Sequence, residues 1–277
     1  MADYIGADRD QDGYYILRPK YSDLWKKYSY LIKSDLVINR ITEYDLRSAN
    51  TSALRRAEAI KASDLDRLEE LPKKEREVAI GKMIRQKPEI RNIIQKEIRR
   101  AKRELFVTNG IQDDDVLAIK NDAVYIIGRR LRTTTFGPME FRSKGSYAAY
   151  LYMDKLEYYY DRREHRVDIS GVGDSILEHP DHIDGIRSFQ AQVMEYLVMD
   201  RRDALRQYLI RFVEDYKSMK LPLCFYREMS NNNFFRTTYS FGDYGLNLDQ
   251  VSEDDRKALN GIYNYTRYVL PMVQRFL

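Results

Sequence analysis

The strongest periodicity in the chain runs from Ile90 to Leu105. Ile90, Ile93, Ile94, Ile98, Ala101 and Leu105 recur every three or four residues and predict one apolar face of a helix. Asn109-Gly110 ends it, because glycine accepts the left-handed backbone that closes a helix. The opposite face is basic. Residues 53 to 108 are helix-prone throughout, with breaks near Leu71-Pro72 and Lys87-Pro88, since proline disfavours helical backbone at the residue before it. The period then changes. Two β-rich runs, Val116 to Ile119 and Ala123 to Ile127, flank Lys120-Asn121-Asp122 and predict a hairpin with Asp122 at its tip.

Strands continue to about Val172, with Phe136-Gly137 and Lys144-Gly145 as turn signals. A patchily apolar stretch from Leu36 to Ile41 predicts another strand, followed by Asp45 and a helix-prone run. Before it, Tyr21 to Lys33 reads as a short amphipathic helix containing Trp25. Helices return beyond Gly185, over Ile186 to Leu197 and Ala204 to Met219. Asn231-Asn232-Asn233 predicts an exposed loop, and Ile262 to Leu277 a terminal helix interrupted by Pro271. There are no internal repeats, low-complexity segments or Gly-rich phosphate loops.

A chain of 277 residues suffices for one large or two modest domains. The net charge is only +4, so the distribution of charge says more than its sum. Residues 82 to 103 carry nine Lys and Arg against Glu89 and Glu97. This local excess suits a solvated helix face, or phosphate contact if that face turns toward a cleft. Cys224 is the sole cysteine, which excludes an intramolecular disulfide and a cysteine-rich zinc site. The sequence shows no signal-peptide pattern and no run of the ~20 apolar residues that a membrane span requires. A cytoplasmic, reducing location without a membrane partner is the expectation. The 23 tyrosines fit half-buried strands first and base stacking second.

Candidate chemistry centres on two carboxylates. Asp45 and Asp122 each end a strand-like run; on neighbouring strands they would share Mg²⁺ or Mn²⁺. Two-metal phosphoryl transfer needs that arrangement of hard oxygen ligands around cations roughly 3.5–4 Å apart. Asp8-Arg9-Asp10-Gln11-Asp12-Gly13 matches the first half of an EF-hand loop. Pro19 stands where that loop's bidentate glutamate belongs, so the segment reads as an acidic turn.

From about residue 36 to 200 the order of segments resembles the palm and thumb of family B DNA polymerases. The family's first palm motif is Asp, two residues, Ser, Leu, Tyr, Pro, Ser. Asp45-Leu46-Arg47-Ser48-Ala49-Asn50-Thr51-Ser52 keeps the Asp and both Ser positions and loses the Tyr-Pro pair. The later Asp-Thr-Asp-Ser motif corresponds to Lys120-Asn121-Asp122-Ala123, keeping the second Asp, which is the family's metal ligand. Lys73, Glu77 and Gly81 have the spacing of the fingers-helix motif, with Glu replacing its Asn. Lys144-Gly145-Ser146-Tyr147-Ala148 stands at the family's Lys-Lys-Arg-Tyr-like element, and Val167 to Val172 leads toward the thumb.

The resemblance implies an α+β chain with a palm-like antiparallel sheet. Residues 1–35 form an N-terminal segment, 36–172 the palm-like domain with a fingers-like helical insert at 53–87, and 173–277 a mainly helical, thumb-like region. It implies template-directed nucleotidyl transfer, with Asp45 and Asp122 as catalytic metal ligands. Ser48, Asn50, Arg55 and Lys73 would meet the nucleotide, with Arg56, Lys74 and Arg76 as further sources of charge. Lys144 and Tyr147 would touch the primer–template duplex. Asn50 replaces the tyrosine that excludes the ribose 2′-hydroxyl in the family, so ribonucleotide use is expected to be tolerated. Nothing resembles the family's exonuclease. A viral or mobile-element origin, or a partner chain supplying the missing parts, follows from the resemblance. The competing expectation is a non-catalytic nucleic-acid-binding or phage or mobile-element structural or assembly protein on a palm-like sheet, and a third is a structural or accessory protein unrelated to polymerases.

Overall fold

The computed structural model describes the backbone of residues 4–9, 15–19 and 31–32, then residues 36–153, 156–170, 180–218, 220–222, 225 and 268–277. Side chains are described from residue 36 onward, and in the helix beginning at 180 from residue 184. Asp10 to Gly13, Trp25, Cys224 and Asn231 to Asn233 lie outside the described residues. The chain is α+β, and it divides into two compact units. The first holds residues 1–35 and 39–146, and the second residues 36–38 and 147–277.

The first unit begins with a small antiparallel pair, β1 (Tyr4–Arg9) and β2 (Tyr15–Pro19). Next come β3 (Leu31–Ile32) and β4 (Leu36–Leu46). The helix expected over Tyr21 to Lys33 does not extend to its C-terminal end. Leu31 and Ile32 instead pair antiparallel with Ile119 and Ala118, a sheet edge overriding the local amphipathic pattern.

Four helices follow: α1 (Ala49–Arg56), α2 (Ala62–Glu70), α3 (Lys73–Gln86) and α4 (Glu89–Asn109). The breaks at Pro72 and Pro88 fall where the prolines predict. Gly110, at φ 60°, closes α4 with its N–H bonded back to Phe106 and Val107. After a short 3₁₀ turn, β5 (Val116–Ile119) and β6 (Ala123–Ile127) form the expected hairpin. Then come β7 (Thr135–Phe136) and the long β8 (Met139–Met153). Within this unit the strand order is β8-β4-β6-β5-β3, with β7 on β8.

The apolar stripe of α4 packs Ile94, Ile98, Ala101 and Leu105 into a core with Val116, Ile119, Val124 and Ile126 of the sheet. Two charged residues share the buried side of that helix. Lys102 is 1% exposed and Glu97 is 7% exposed. The reading of Lys102 as part of the basic outer face is therefore corrected. It follows Ile98 by one turn and lies on the same side. Glu97 is offset by Arg56 of α1 at 3.2 Å, and Arg56 reaches Glu104 at 2.6 Å.

Lys144-Gly145 is no turn. Both residues lie inside β8, whereas Gly137, at φ 60°, makes the turn between β7 and β8. The second unit takes β8 from Tyr147 onward, β9 (Leu156–Asp161) and β10 (Arg166–Ser170), paired antiparallel in that order. It also holds α5 (Pro180–Val198), α6 (Arg202–Lys217) and α7 (Leu270–Phe276). The boundary between the two units falls within β8, because these strands bury Leu151, Tyr158 and Tyr160 in one core with Phe189, Leu209 and Phe212. Many of the tyrosines are core residues: Tyr44, Tyr150, Tyr158, Tyr159, Tyr160 and Tyr216 are all buried.

Candidate functional site

Asp45 and Asp122 come together because β4 and β6 pair antiparallel with Asp45 opposite Ala123. The N–H of Leu46 donates to the Asp122 carbonyl at 2.9 Å, tying the strand end to the hairpin tip. The hairpin itself closes through the N–H of Lys120 on the Ala123 carbonyl at 2.8 Å. Both side chains line a cavity of about 310 Å³ in the first unit. Burial pushes the Asp45 carboxyl up, and the Asp122 charge pushes it further in the same direction.

The same cavity is lined by the first turn of α1, at Ser48, Ala49, Asn50 and Thr51, together with Lys73, Arg76 and Glu77 of α3. Ser48 takes left-handed backbone, φ 47° and ψ 46°, to turn the chain sharply from strand into helix. Its side chain makes no capping bond, and the first turn contains no acidic residue. The unsatisfied N–H groups of such a helix start favour anions. Lys73 is held loosely by Glu77 at 4.0 Å. The expected candidates Asp45, Asp122, Ser48, Asn50 and Lys73 thus line one cavity, and Arg76 joins them.

Arg55 does not join them. It points along the helical layer to Asp66 at 3.0 Å and Glu69 at 2.9 Å, and these two carboxylates account for its position. Arg56 is likewise taken by Glu97 and Glu104. Lys144 lies beside the carboxylates from β8. Its Nζ is 3.5 Å from Glu43, and the Glu43 and Asp45 charges hold the ammonium above its ordinary range. Tyr147 belongs to the second unit, where its ring packs against Tyr159 at 5.1 Å and is 9% exposed.

Two participants escaped the sequence reading. Glu43 stands two residues before Asp45 on the same strand, so the period of two puts both on one face. Its charge adds to the upward push on Asp45. Lys102 donates from Nζ to the Lys120 carbonyl at 2.6 Å, gripping the turn that carries Asp122. A lysine within an apolar stripe is the signal that could have found it.

Asp45 and Asp122 are the residues that could hold Mg²⁺ or Mn²⁺: two carboxylates line one cavity, one of them pushed up by burial and then by the other's charge. Among the described residues no group of three or more His, Cys, Asp or Glu side chains converges on one metal position. Mg²⁺ commonly keeps several water or phosphate oxygens beside one or two carboxylates, so two suffice. Among the described residues no helix is long and apolar enough to cross a membrane.

No curated protein matches this chain. The family model described as "Bacteriophage PBS1 gene 130 protein" matches residues 20–277, nearly the whole length, and the chain belongs to that phage protein family.

Proposed function

We propose that the chain is a phage template-directed nucleotidyltransferase acting on DNA and nucleoside triphosphates in the host cytoplasm. The observation that carries this reading is the one cavity lined by Asp45 and Asp122 together with the start of α1, Lys73 and Arg76. Strand termini holding cations opposite donors that attract phosphate form an arrangement suited to phosphoryl transfer.

In this reaction the 3′-hydroxyl oxygen of the primer bonds to the α-phosphorus as the bond to pyrophosphate breaks. Asp45 and Asp122 would hold Mg²⁺ or Mn²⁺, which when bound lowers the pKa of the hydroxyl and neutralises the leaving pyrophosphate. Lys73, Arg76 and the amides opening α1 take the charge of the triphosphate. Asn50 stands beside the sugar, and its small amide leaves room for a 2′-hydroxyl. Lys144 orients the carboxylate pair through Glu43 and meets the duplex backbone. Primer extension with Mg²⁺ or Mn²⁺, supplying deoxynucleotides and ribonucleotides separately, tests the reading. Incorporation of both sugars is expected, and strong preference for deoxynucleotides would remove the role given to Asn50.

A second reading, a non-catalytic nucleic-acid-binding or assembly protein, is favoured by one observation. Lys120 occupies the first carboxylate position of the later motif, and its ammonium lies over the Tyr125 ring at 4.9 Å. Failure of incorporation together with retained DNA binding would select it.

A further inference from the structure

A second cavity, about 320 Å³, lies in the first unit beside the carboxylate cavity, and Asn50 lines both. Its floor is apolar, formed by Ile84 from α3 and Ile94 and Ile98 from α4. Its rim is cationic, with Arg91 and Arg99 from α4 and Lys102 below. Some guanidinium groups of this unit are matched to carboxylates, as in Arg55 with Asp66, Arg56 with Glu97, Arg100 with Glu104 and Arg129 with Asp115. Arg91 and Arg99 are among those that are not. Among the described residues neither pairs with a carboxylate, and Arg99 only donates to the backbone carbonyl of Gln95 at 3.2 Å. Exposed arginines without carboxylate partners beside an apolar floor form a surface for a ligand that is both anionic and flat-faced.

The spacing narrows the ligand class. Arg91 and Arg99 are eight residues apart on one helix, about 12 Å along its axis. Guanidinium groups two turns apart on one helix are spaced for successive phosphates of an extended ligand rather than for a single shared one. Gln95, between them, and Asn121, at the hairpin tip, offer amides along the same path. We propose that this cavity seats a single strand of nucleic acid, with separate phosphates on Arg91 and Arg99 and sugar or base faces against Ile84, Ile94 and Ile98. The proposal extends the nucleotidyltransferase reading to the strand's path, but neither Asp45 nor Asp122 takes part in the contact. Failure of one is therefore separable from failure of the other.

Fluorescence anisotropy with a short oligothymidylate and the full chain, between roughly 50 and 200 mM salt, tests it. The Arg91→Gln/Arg99→Gln variant is expected to weaken binding about tenfold and to reduce the slope of log affinity against log salt by about 1.4, the share of two single-strand phosphates. Arg99→Gln alone should remove about half of that slope. Lys82→Gln/Lys96→Gln makes the same change of charge at exposed sites outside the cavity and should leave both readings near wild type. Asp122→Ala should still bind, whether or not it retains synthesis. Equal losses in the two double variants, or none in the arginine pair, would overturn the proposal. So would inorganic phosphate or a free nucleoside triphosphate displacing the strand at matched phosphate concentration, because the cavity would then be an anion site only.

Discussion

The ammonium of Lys102, 1% exposed within the apolar side of α4, donates to the carbonyl oxygen of Lys120 at 2.6 Å and thereby holds the turn bearing Asp122. Burial draws its pKa down to about 7. The folded chain thus holds this proton more weakly than the unfolded chain. The associated stability is present above the unfolded value of 10.5 and is lost as the pH falls through about 7. Urea unfolding of the wild type should therefore show stability from this group rising between pH 7 and 10, by on the order of a few kcal/mol. Lys102→Met should flatten that rise. An unchanged slope in the variant would show that Lys102 is not the titrating group.

Arg56 and Glu97 join α1 to α4 in a nearly dry setting, with side chains 13% and 9% exposed. Removing only the cation leaves a buried carboxylate without its counter-charge. Arg56→Met is expected to cost roughly 3–5 kcal/mol in urea denaturation, and the double variant with Glu97→Gln should recover much of that. A loss under about 1 kcal/mol in the single variant would mean the pair is effectively solvated.

The cations of this region divide by position. Arg76 lines the carboxylate cavity, whereas Arg55 is committed to Asp66 and Glu69 on the surface. Arg76→Gln should raise the KM for nucleoside triphosphate, and Arg55→Gln, whose ion pairs lie in solvent, should leave it unchanged. Steady-state kinetics of the two variants checks the assignment, and the reverse ranking would contradict it.

Asp45 carries a carboxyl pushed up by burial and then by Asp122. Its folded-state proton is held more tightly than its unfolded one. The stability it contributes is fully present below the unfolded value of 3.8 and is lost as the pH rises through the folded value. Asp45→Asn should accordingly raise the melting temperature at neutral pH in the presence of a chelator and abolish the further rise that Mg²⁺ gives the wild type. Differential scanning calorimetry reads both effects. An Mg²⁺ response preserved in the variant would place the cation elsewhere.

Much of this architecture was legible because period and punctuation agree. The stripe from Ile90 to Leu105, the prolines at 72 and 88, and Gly110 define α3 and α4 almost to the residue, and the Lys120-Asn121-Asp122 break fixes the hairpin. The pairing of β4 with β6, which joins Asp45 to Asp122, is a long-range contact that only the order of motifs suggested. Side-chain commitments were not legible. Arg55 and Arg76 look alike in sequence, and only tertiary neighbours divide them. Lys102 reads as surface charge until its carbonyl partner, eighteen residues away, is in view. Gly145 signals a turn by composition, yet a long strand carries it through.

Single-nucleotide incorporation on a primed DNA template with Mg²⁺, comparing the wild type with Asp45→Asn and Asp122→Ala, bears most directly on the claim that the two aspartates form a nucleotidyl-transfer site. The account predicts extension by the wild type and its loss, by orders of magnitude, in both variants while their folding and strand binding persist. Equal extension by either variant, or none by a folded wild type offered both sugars and both metals, would contradict it.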